Sequence, residues 1–386
     1  MAFTAGFDFT EAEAALALSQ SIYGAPAIPV PTPDPVALGW SKVDGLSPSG
    51  PTLLDNLWQI WRSDAAPNRY ALVVRGTVDT DASILADLLF PLIDARLDLE
   101  LDIGGTTLDI PFHLARDETG SAVVAGTHLG FTLGLLLMLL TTDRPLLASL
   151  ARLSLLPDTE LLVTGHSQGA SIATLATSFL RHASGPFAPF RTLSAKTYVL
   201  APAKPGNDHY AADYAGIAGM AGFGWTIAST QGWVPQVPFT LQGPGDLNTP
   251  NPLRAYAGET MPDSDPRVAA MALTAATAAE AAHVQALAHA QASIAALKAG
   301  LASIRLAPDA LPGGGGGATP VPGTALSPVL DTLLSRVQLS LNYAPAGALV
   351  PLFARPGGNP QDPKDYFWQH HLGNYWIYLQ EQYGGM

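Results

Sequence analysis

The pentapeptide Gly165-His166-Ser167-Gln168-Gly169 limits the possible folds of this chain more than any other feature. The apolar run Leu161 to Val163 before it favours a short buried strand, and the small residues after it favour a helix. A strand that turns sharply into a helix holds the serine between them in a strained turn, and glycines on both flanks let the backbones pack closely. The helix N-terminus also offers free N–H groups to a developing oxyanion. Ser167 is therefore a candidate nucleophile, whereas a chance serine in a glycine-rich turn fits the flanking pattern less well.

Composition indicates a large folded protein and argues against several classes of function. The chain has 386 residues, which suits one large domain with insertions, and 48% of them are hydrophobic. A net charge of −13 disfavours binding to nucleic acid and to anionic membranes. The lack of cysteine excludes disulfides, thiolate catalysis and cysteine-ligated metal. Residues 1–8 have no signal-peptide pattern, so we expect either a cytoplasmic protein or an exported one whose leader was removed, and the sequence does not distinguish the two.

Apolar segments of strand length alternate with helical segments along most of the chain. We predict a helix over residues 10–22 and a buried core helix over residues 131–140, which is too short to cross a bilayer. The run 97–103 alternates apolar and acidic residues, so its acidic side is expected to be a solvated strand face and not a metal cluster. The pattern predicts an α/β protein with a mostly parallel sheet that helices cover on both faces. The predicted strands are 57–61, 70–74, 97–103, 161–164, 197–200 and 225–228.

An alanine-rich stretch begins near Asp263. Asp265 can cap a helix that has Pro266 at its first position, and a glycine-rich linker follows residue 312. We interpret residues 263–324 as a helical insertion and linker within a single domain of residues 1–386. The larger apolar residues of the insertion recur every three to four positions and predict one buried stripe, formed by Val284, Leu287, Ile294, Leu297, Leu301 and Ile304.

Several segments, in order along the chain, resemble the motifs of the class 3 lipases. They cover roughly residues 55 to 240. Several motifs in the family's order are far more specific evidence for the family than any single motif. The resemblance implies an α/β-hydrolase fold with a mostly parallel central sheet flanked by helices, and a serine esterase or lipase activity. The segments are Val73-Val-Arg-Gly-Thr77, His128-Leu-Gly-Phe131, the G-H-S-Q-G pentapeptide, Val199-Leu-Ala-Pro-Ala-Lys-Pro-Gly-Asn207 and Trp233-Val-Pro-Gln-Val-Pro238.

The resemblance assigns roles to individual residues. It implies that Ser167 is the nucleophile and that Thr77 and the backbone N–H of Gln168 are the oxyanion-hole donors. The family places its catalytic histidine a few residues before a tyrosine in a final helix, and both His370 and His371 fit that spacing before Tyr375. We prefer His370 and keep both as the candidate base. This chemistry requires no metal and no organic cofactor.

The sequence departs from the family at the position of the triad acid. Aligning Trp233-Val-Pro235 with the family pattern D-x-V-P places the aspartate at Gly232, and glycine cannot orient an imidazole. Three explanations are open: a carboxylate reaches the site from the following loop, position 232 carries a substitution, or the enzyme works as a weakened serine–histidine pair. Loss of the triad acid costs about 10⁴ in turnover in other serine hydrolases while some catalysis remains. The candidate replacement carboxylates are Asp246, Asp263 and Asp265.

These observations predict a serine hydrolase that cleaves carboxylic esters of lipids, either a triacylglycerol lipase or a carboxylesterase. Phospholipase A1 and polyester hydrolase activities also fit, because one sequence does not display the shape of the substrate pocket. We expect an acyl ester or lipid as substrate and interfacial contact with lipid, through a lid formed by residues 84–93 or by the insertion. The alternative is a weak or inactive binding protein on a hydrolase fold, which the glycine at position 232 favours. The sequence leaves the oligomeric state undetermined.

Overall fold

A computed structural model describes residues 3–24, 32–78, 80–103, 106–117, 124–241, 266–306 and 320–385. The glycine-rich linker and the aspartates at 246, 263 and 265 lie outside these residues, and so does the predicted cap at Asp265. Among the helices that the structure describes, none is both long enough and apolar enough to cross a bilayer. No cluster of three or more potential metal ligands is present in the same ranges.

The described strands lie mostly where the apolar runs predict them. A run of residues with alternating or continuous apolar character forms a strand because the extended backbone places successive side chains on opposite faces. The strands are β1 (Trp40–Lys42), β2 (Trp58–Ser63), β3 (Arg69–Val74), β4 (Leu92–Asp94), β5 (Arg96–Ile103), β6 (Thr106–His113), β7 (Gly126–His128), β8 (Glu160–His166), β9 (Ser194–Leu200), β10 (Gly224–Ser229), β11 (Arg305–Leu306), β12 (Val321–Pro322) and β13 (Ala348–Leu352).

The helices begin and end close to the predicted positions wherever a prediction was made. The predicted helix over residues 10–22 is α1, and the predicted core helix over residues 131–140 is α3, every residue of which is buried. The helices are α1 (Phe9–Ser21), α2 (Asp81–Leu88), α3 (Leu129–Leu140), α4 (Leu146–Ser154), α5 (Gln168–His182), α6 (Asp208–Tyr214), α7 (Pro266–Leu301), α8 (Ser327–Ser335) and α9 (Leu372–Tyr383).

A seven-stranded sheet with the order β1-β2-β3-β8-β9-β10-β13 forms the centre of the molecule. The strands from β3 to β13 run parallel, and β1 and β2 are antiparallel additions at one edge. α1 packs on β8 and β9 and contacts α9, whereas α5 packs on β8 and β9 together with α3. The predicted α/β-hydrolase class, a mostly parallel sheet flanked by helices, is confirmed.

The register of the sheet positions the functional site. β3 and β8 pair with Val74 opposite Gly165, and β8 and β9 pair with His166 opposite Leu200. The carboxyl ends of these parallel strands therefore lie at the same edge of the sheet. In open α/β sheets ligands bind outside this edge, where the loops after the strands converge.

The alanine-rich helix α7 buries only part of the predicted stripe: Ile294, Leu297 and Leu301 are buried as predicted, and Ile304 packs against the core. Val284 is 60% exposed, which contradicts its place in that stripe. The buried face of α7 begins with His283, continues with two alanines and ends with larger aliphatic residues. Its members are His283, Ala286, Ala290, Ile294, Leu297 and Leu301. Alanine offers little apolar surface to a hydropathy pattern, but it lets a helix approach its neighbour closely. Ile294, Leu297 and Leu301 belong to the main hydrophobic core. The interpretation of residues 1–386 as a single domain with this insertion stays a proposal.

Candidate active site

Ser167 lies in the sharp turn between β8 and α5 that the pentapeptide predicts. Its backbone has φ 59° and ψ −131°, a conformation that a non-glycine residue adopts only under strain. The N–H of Ser167 donates to Leu200 O at 3.0 Å, which anchors the turn to the neighbouring strand β9. The strained backbone is thus held in place by sheet contacts, and it puts the serine at the N-terminus of α5.

The two flanking glycines are required by close backbone contacts. A Cβ atom at Gly165 would lie 2.5 Å from Gly169 O, and one at Gly169 would overlap Val74 O at the end of β3. Gly76 has the same constraint, because a Cβ atom there would overlap His166 O. Only residues without a side chain therefore let β3, the serine turn and the start of α5 come together.

Two backbone N–H groups and one hydroxyl lie beside this turn and are candidate oxyanion donors. Gln168 is the first residue of α5, where an N–H has no partner within the helix. The N–H of Thr77 makes no hydrogen bond within the described part of the chain. The hydroxyl of Thr77 donates to Asp87 Oδ2 at 2.7 Å. Thr77 and Gln168, both predicted as oxyanion donors, are therefore brought together with Ser167 at the lining of one cavity.

Asp87 on α2 connects the two predicted donors through their side chains. Besides the Thr77 hydroxyl, it accepts a hydrogen bond from Gln168 Nε2 at 3.0 Å. Gln168 Nε2 also donates to Ser83 O, and Gln168 Oε1 accepts from Asn56 Nδ2 at 2.8 Å. Burial raises the pKa of Asp87, and the hydrogen bonds from Thr77 and Gln168 oppose that shift in part. These contacts hold α2 against the proposed oxyanion hole.

A chain of hydrogen bonds connects the oxyanion loop to the histidine segment. His166 Nε2 lies 2.9 Å from His370 O, and a carbonyl only accepts, so Nε2 carries the proton and Nδ1 of the neutral ring is an acceptor. Tyr23 Oη, 3.0 Å away, donates to that Nδ1 and itself accepts from Gly76 N at 2.9 Å. Burial is the main cause that lowers the pKa of His166 to about 4; the hydrogen bond to His370 O opposes the shift and the charge of His371 adds to it. His166 therefore stays neutral and can serve both neighbours.

His370 and His371 both line the cavity with Ser167, but their surroundings differ. His370 is 6% exposed, its ring lies 4.4 Å from that of His166, and its Nδ1 has no hydrogen-bond partner among the described residues. Burial lowers the pKa of His370 well below its ordinary value, and the charges of His166 and His371 add to this. His371 is 42% exposed and pairs through Nε2 with Asp365 Oδ2 at 2.9 Å. In the described ranges Ser167 Oγ makes no hydrogen bond to either histidine.

Gly232 is buried in the loop after β10. A Cβ atom at this position would lie 3.6 Å from Ser229 and from Tyr375 Oη, which is ordinary van der Waals contact. Tyr375 Oη accepts from Ser229 N at 3.0 Å, so α9 is tied to the end of β10. The site thus has room for a side chain at 232, and the sequence supplies none.

The comparisons with known proteins were made on the whole chain. Residues 71–242, less than half of the chain, match the model of the family described as lipase (class 3). The resemblance to the class 3 lipases is confirmed. The match to this family supports a lipid ester hydrolase. A search of curated proteins found no match.

Fungal lipases are among the solved structures that this chain resembles. A lipase from Rhizopus microsporus var. chinensis is 20% identical, and the alignment covers 60% of this chain and 67% of that one with a TM-score of 0.37. A lipase from Yarrowia lipolytica is 20% identical over 62% of this chain and 78% of that one, with a TM-score of 0.41. A Rhizomucor miehei lipase in a propeptide complex is 16% identical over 60% of this chain and 62% of that one, with a TM-score of 0.37.

A large apolar cavity of about 1160 Å³ opens beside Ser167. Its described lining includes the carboxylates of Asp87 and Asp365 and contains no lysine or arginine. His128 of the predicted H-x-G-F segment also lines it, and burial lowers the pKa of this histidine to about 3. The described lining therefore brings no lysine or arginine charge to a substrate, and burial lowers the pKa of His128, His166 and His370. The aromatic and aliphatic side chains that are partly exposed at the cavity are Ile84, Leu88, Trp233, Phe239 and Phe367.

Three residues of the site were missed by the sequence analysis. Tyr23 and Asp87 reach the site from 143 and 81 positions away from their partners His166 and Gln168, and no local pattern marks them. Asp365 lies only six positions before His371, so a carboxylate close to a candidate base was a signal that the sequence did contain.

Proposed function

We propose that this protein is a serine hydrolase that cleaves carboxylic esters of lipids through an acyl-enzyme. The backbone conformation of Ser167 carries the proposal. A strained serine at the N-terminus of α5, next to the free N–H of Gln168 and the loop of Thr77, provides a nucleophile and oxyanion donors in one place. Structural glycine turns need no serine at the strained position and no unpaired amides beside it.

The reaction proceeds in two acyl-transfer steps. A neutral imidazole, that of His370 or His371, takes the proton of Ser167 Oγ as the oxygen attacks the ester carbonyl carbon. The carbonyl oxygen becomes an oxyanion, which Gln168 N–H and Thr77 stabilise. The imidazolium then returns the proton to the leaving alkoxy oxygen as the carbon–oxygen bond breaks. In the second step the same imidazole deprotonates a water, which attacks the acyl carbon. The imidazolium then returns the proton to Ser167 Oγ as the bond between the acyl carbon and Oγ breaks, which releases the acid and the free enzyme.

The resting hydrogen bonds of Thr77 restrict which of its groups stabilises the oxyanion. Its hydroxyl has one proton, and Asp87 accepts it at 2.7 Å. The backbone N–H is therefore the Thr77 donor that is available without rearrangement. Asp87 fixes the side chains around both donors, so the oxyanion hole is pre-organised before substrate binds.

The cavity favours uncharged acyl esters as substrates. Its lining is mostly apolar, and the carboxylates of Asp87 and Asp365 repel anionic headgroups. The partly exposed apolar side chains at the cavity are suited to contact with a lipid surface. Both candidate lids border the cavity, residues 84–93 through Ile84 and Leu88 and the insertion through Ala282. α2 is tied to the oxyanion donors by Asp87, so any opening of α2 also breaks those hydrogen bonds.

Hydrolysis of p-nitrophenyl esters of increasing acyl length tests the proposal. We expect turnover by the full chain and its loss in Ser167→Ala, because the general base has no nucleophile to activate. Ser184→Ala is a matched control two residues beyond the far end of α5, and it should retain activity. A fluorophosphonate probe should label the full chain and Ser184→Ala, but not Ser167→Ala. Equal rates for the full chain and Ser167→Ala on every ester would leave the binding-protein alternative.

A further inference from the structure

Three hydrogen-bond donors hold the carboxylate of Asp365 in one orientation. Its Oδ1 accepts from Phe367 N at 3.1 Å, and its Oδ2 accepts from Asn359 Nδ2 at 3.1 Å and from His371 Nε2 at 2.9 Å. Asn359 is buried, and its own Oδ1 accepts from Gln361 N at 2.9 Å. The side chain of Asp365 is 13% exposed. Two of the three donors are independent of the histidine, so the loop itself orients this carboxylate.

These donors keep Asp365 ionised. Burial alone would raise its pKa, but the hydrogen bonds from Asn359, His371 and the Phe367 N–H outweigh burial and hold the pKa below its ordinary value. An ionised carboxylate only accepts hydrogen bonds, so the proton between the two side chains belongs to His371 Nε2. The lone pair of the neutral ring is then on Nδ1, which is the atom left to accept a proton.

The two adjacent histidines differ in how well they tolerate the positive charge that a base acquires. His370 is buried, has no carboxylate partner among the described residues, and lies beside two other imidazoles, His166 and His371, whose protonation would oppose its own. His371 caps the N-terminus of α9, where the helix dipole opposes a cation, and the Asp365 carboxylate offsets this. A proton on His371 is therefore met by an adjacent carboxylate, whereas a proton on His370 would be buried without a partner among the described residues.

We infer that Asp365 is the positioning carboxylate of this enzyme, replacing the aspartate absent at Gly232, and that it acts through His371 as the general base. The inference rests on the proposed function. It moves the acid from the loop after β10 to the loop between β13 and α9, which also carries the base. His370 then has a supporting position: its ring packs on His166, and its carbonyl accepts the His166 hydrogen bond.

The test compares Asp365→Asn with Asp362→Asn in the full-length protein, with Gly232→Asp, His370→Ala and His371→Ala alongside. Asp362 is an exposed aspartate of the same loop whose side chain accepts from Lys364 N, so its change to asparagine matches the chemistry without touching His371. We expect Asp365→Asn to lower kcat by roughly 10²–10⁴, since loss of a triad acid costs about 10⁴ and partial exposure weakens this pair. Asp362→Asn should stay within about threefold of the unchanged protein. Far-UV circular dichroism and urea midpoints establish that each variant is folded.

The pH profile separates orientation of the base from a merely structural role. His371 is surrounded by Asp365 on its own loop, His370 beside it and His166 on β8. Without the carboxylate, the imidazolium is less stable, so the acid limb of kcat/KM should move to lower pH in Asp365→Asn while the plateau falls. Asp365→Glu should recover part of the rate and restore the limb. A loop that had only lost rigidity would lower the plateau without moving the limb.

The variants at the other two positions decide between the histidines. Asp365→Asn/His371→Ala should be no slower than His371→Ala alone, because residues that act as one unit are not additive. Gly232→Asp should give less than about a threefold gain. The inference is overturned if turnover depends on Ser167 but Asp365→Asn keeps it. In that case a large gain in Gly232→Asp, or loss of turnover in His370→Ala, would identify His370 as the base. If turnover does not depend on Ser167 at all, the proposed function fails first and the role of Asp365 fails with it.

Discussion

Tyr23 connects the oxyanion loop, the residue before the nucleophile and, through that residue, the base segment. Tyr23→Phe removes one oxygen and keeps the ring, so packing is nearly unchanged. The change leaves two groups without partners, the N–H of Gly76 and Nδ1 of His166, which Tyr23 Oη bridges at 2.9 and 3.0 Å. Gly76 and His166 are both buried residues, so the two groups lose their partner in a largely shielded part of the site.

The expected loss of stability follows from these two orphaned groups. A buried donor or acceptor left unsatisfied costs about 1–3 kcal/mol, so with two such groups we expect the free energy of unfolding to fall by about 2–6 kcal/mol. Gly76 immediately precedes Thr77, so the oxyanion loop should also shift. Removal of a whole oxyanion donor costs ~10²–10³ in rate, and we expect kcat of Tyr23→Phe to fall by up to ~10².

Urea unfolding followed by tryptophan fluorescence measures the first effect, and ester hydrolysis below the unfolding transition measures the second. Tyr366→Phe is the matched control, because this tyrosine is 79% exposed and its change should cost less than about 0.5 kcal/mol. The reasoning is refuted if Tyr23→Phe unfolds within about 0.5 kcal/mol of the unchanged protein. A double-mutant cycle with His166→Asn should show a coupling energy, and additive effects would place the two side chains in separate networks.

The remaining predictions concern backbone contact, pH and the insertion. Gly169→Ala should lower the free energy of unfolding by more than about 3 kcal/mol and abolish activity, because its Cβ overlaps Val74 O. Gly216→Ala is the control and should be tolerated, because its Cβ meets nothing within 4 Å. Thermal unfolding compares the two variants. The pKa of His166 is lowered to about 4 in the folded protein, so the unfolded chain takes up a proton at this residue more readily as the pH falls below 6.5. The free energy of unfolding should therefore fall by about 3 kcal/mol between pH 6.5 and about 4. Urea midpoints should drop over that range and should drop less in His166→Asn. His283→Leu should raise the urea midpoint by the equivalent of about 1–2 kcal/mol, because both of its ring nitrogens are buried without a partner among the described residues; an unchanged or lower midpoint would show that they are satisfied.

Local patterns predicted the scaffold because local forces dominate there. The run Leu161 to Val163 forms part of β8, and the pentapeptide forms the strained turn, because glycine spacing and apolar continuity restrict those few residues whatever surrounds them. The fully buried helix α3 was equally predictable, since its residues are almost all apolar. Val284 shows the limit of this reasoning: the face that α7 buries depends on the neighbour it meets, and small alanines pack there in preference to the larger side chain.

The electrostatic design of the site was decided only by the tertiary structure. Sequence motifs and family resemblance together named Ser167, Thr77, Gln168 and the two adjacent histidines, and they revealed that the acid at position 232 is absent. They gave only a slight preference for His370, because a difference of one residue in sequence reverses burial, charge environment and access to Asp365. A pattern along the chain records which residues are near in sequence. The proton affinity of an imidazole depends instead on which charges and dipoles lie within a few ångströms, and folding alone sets those distances.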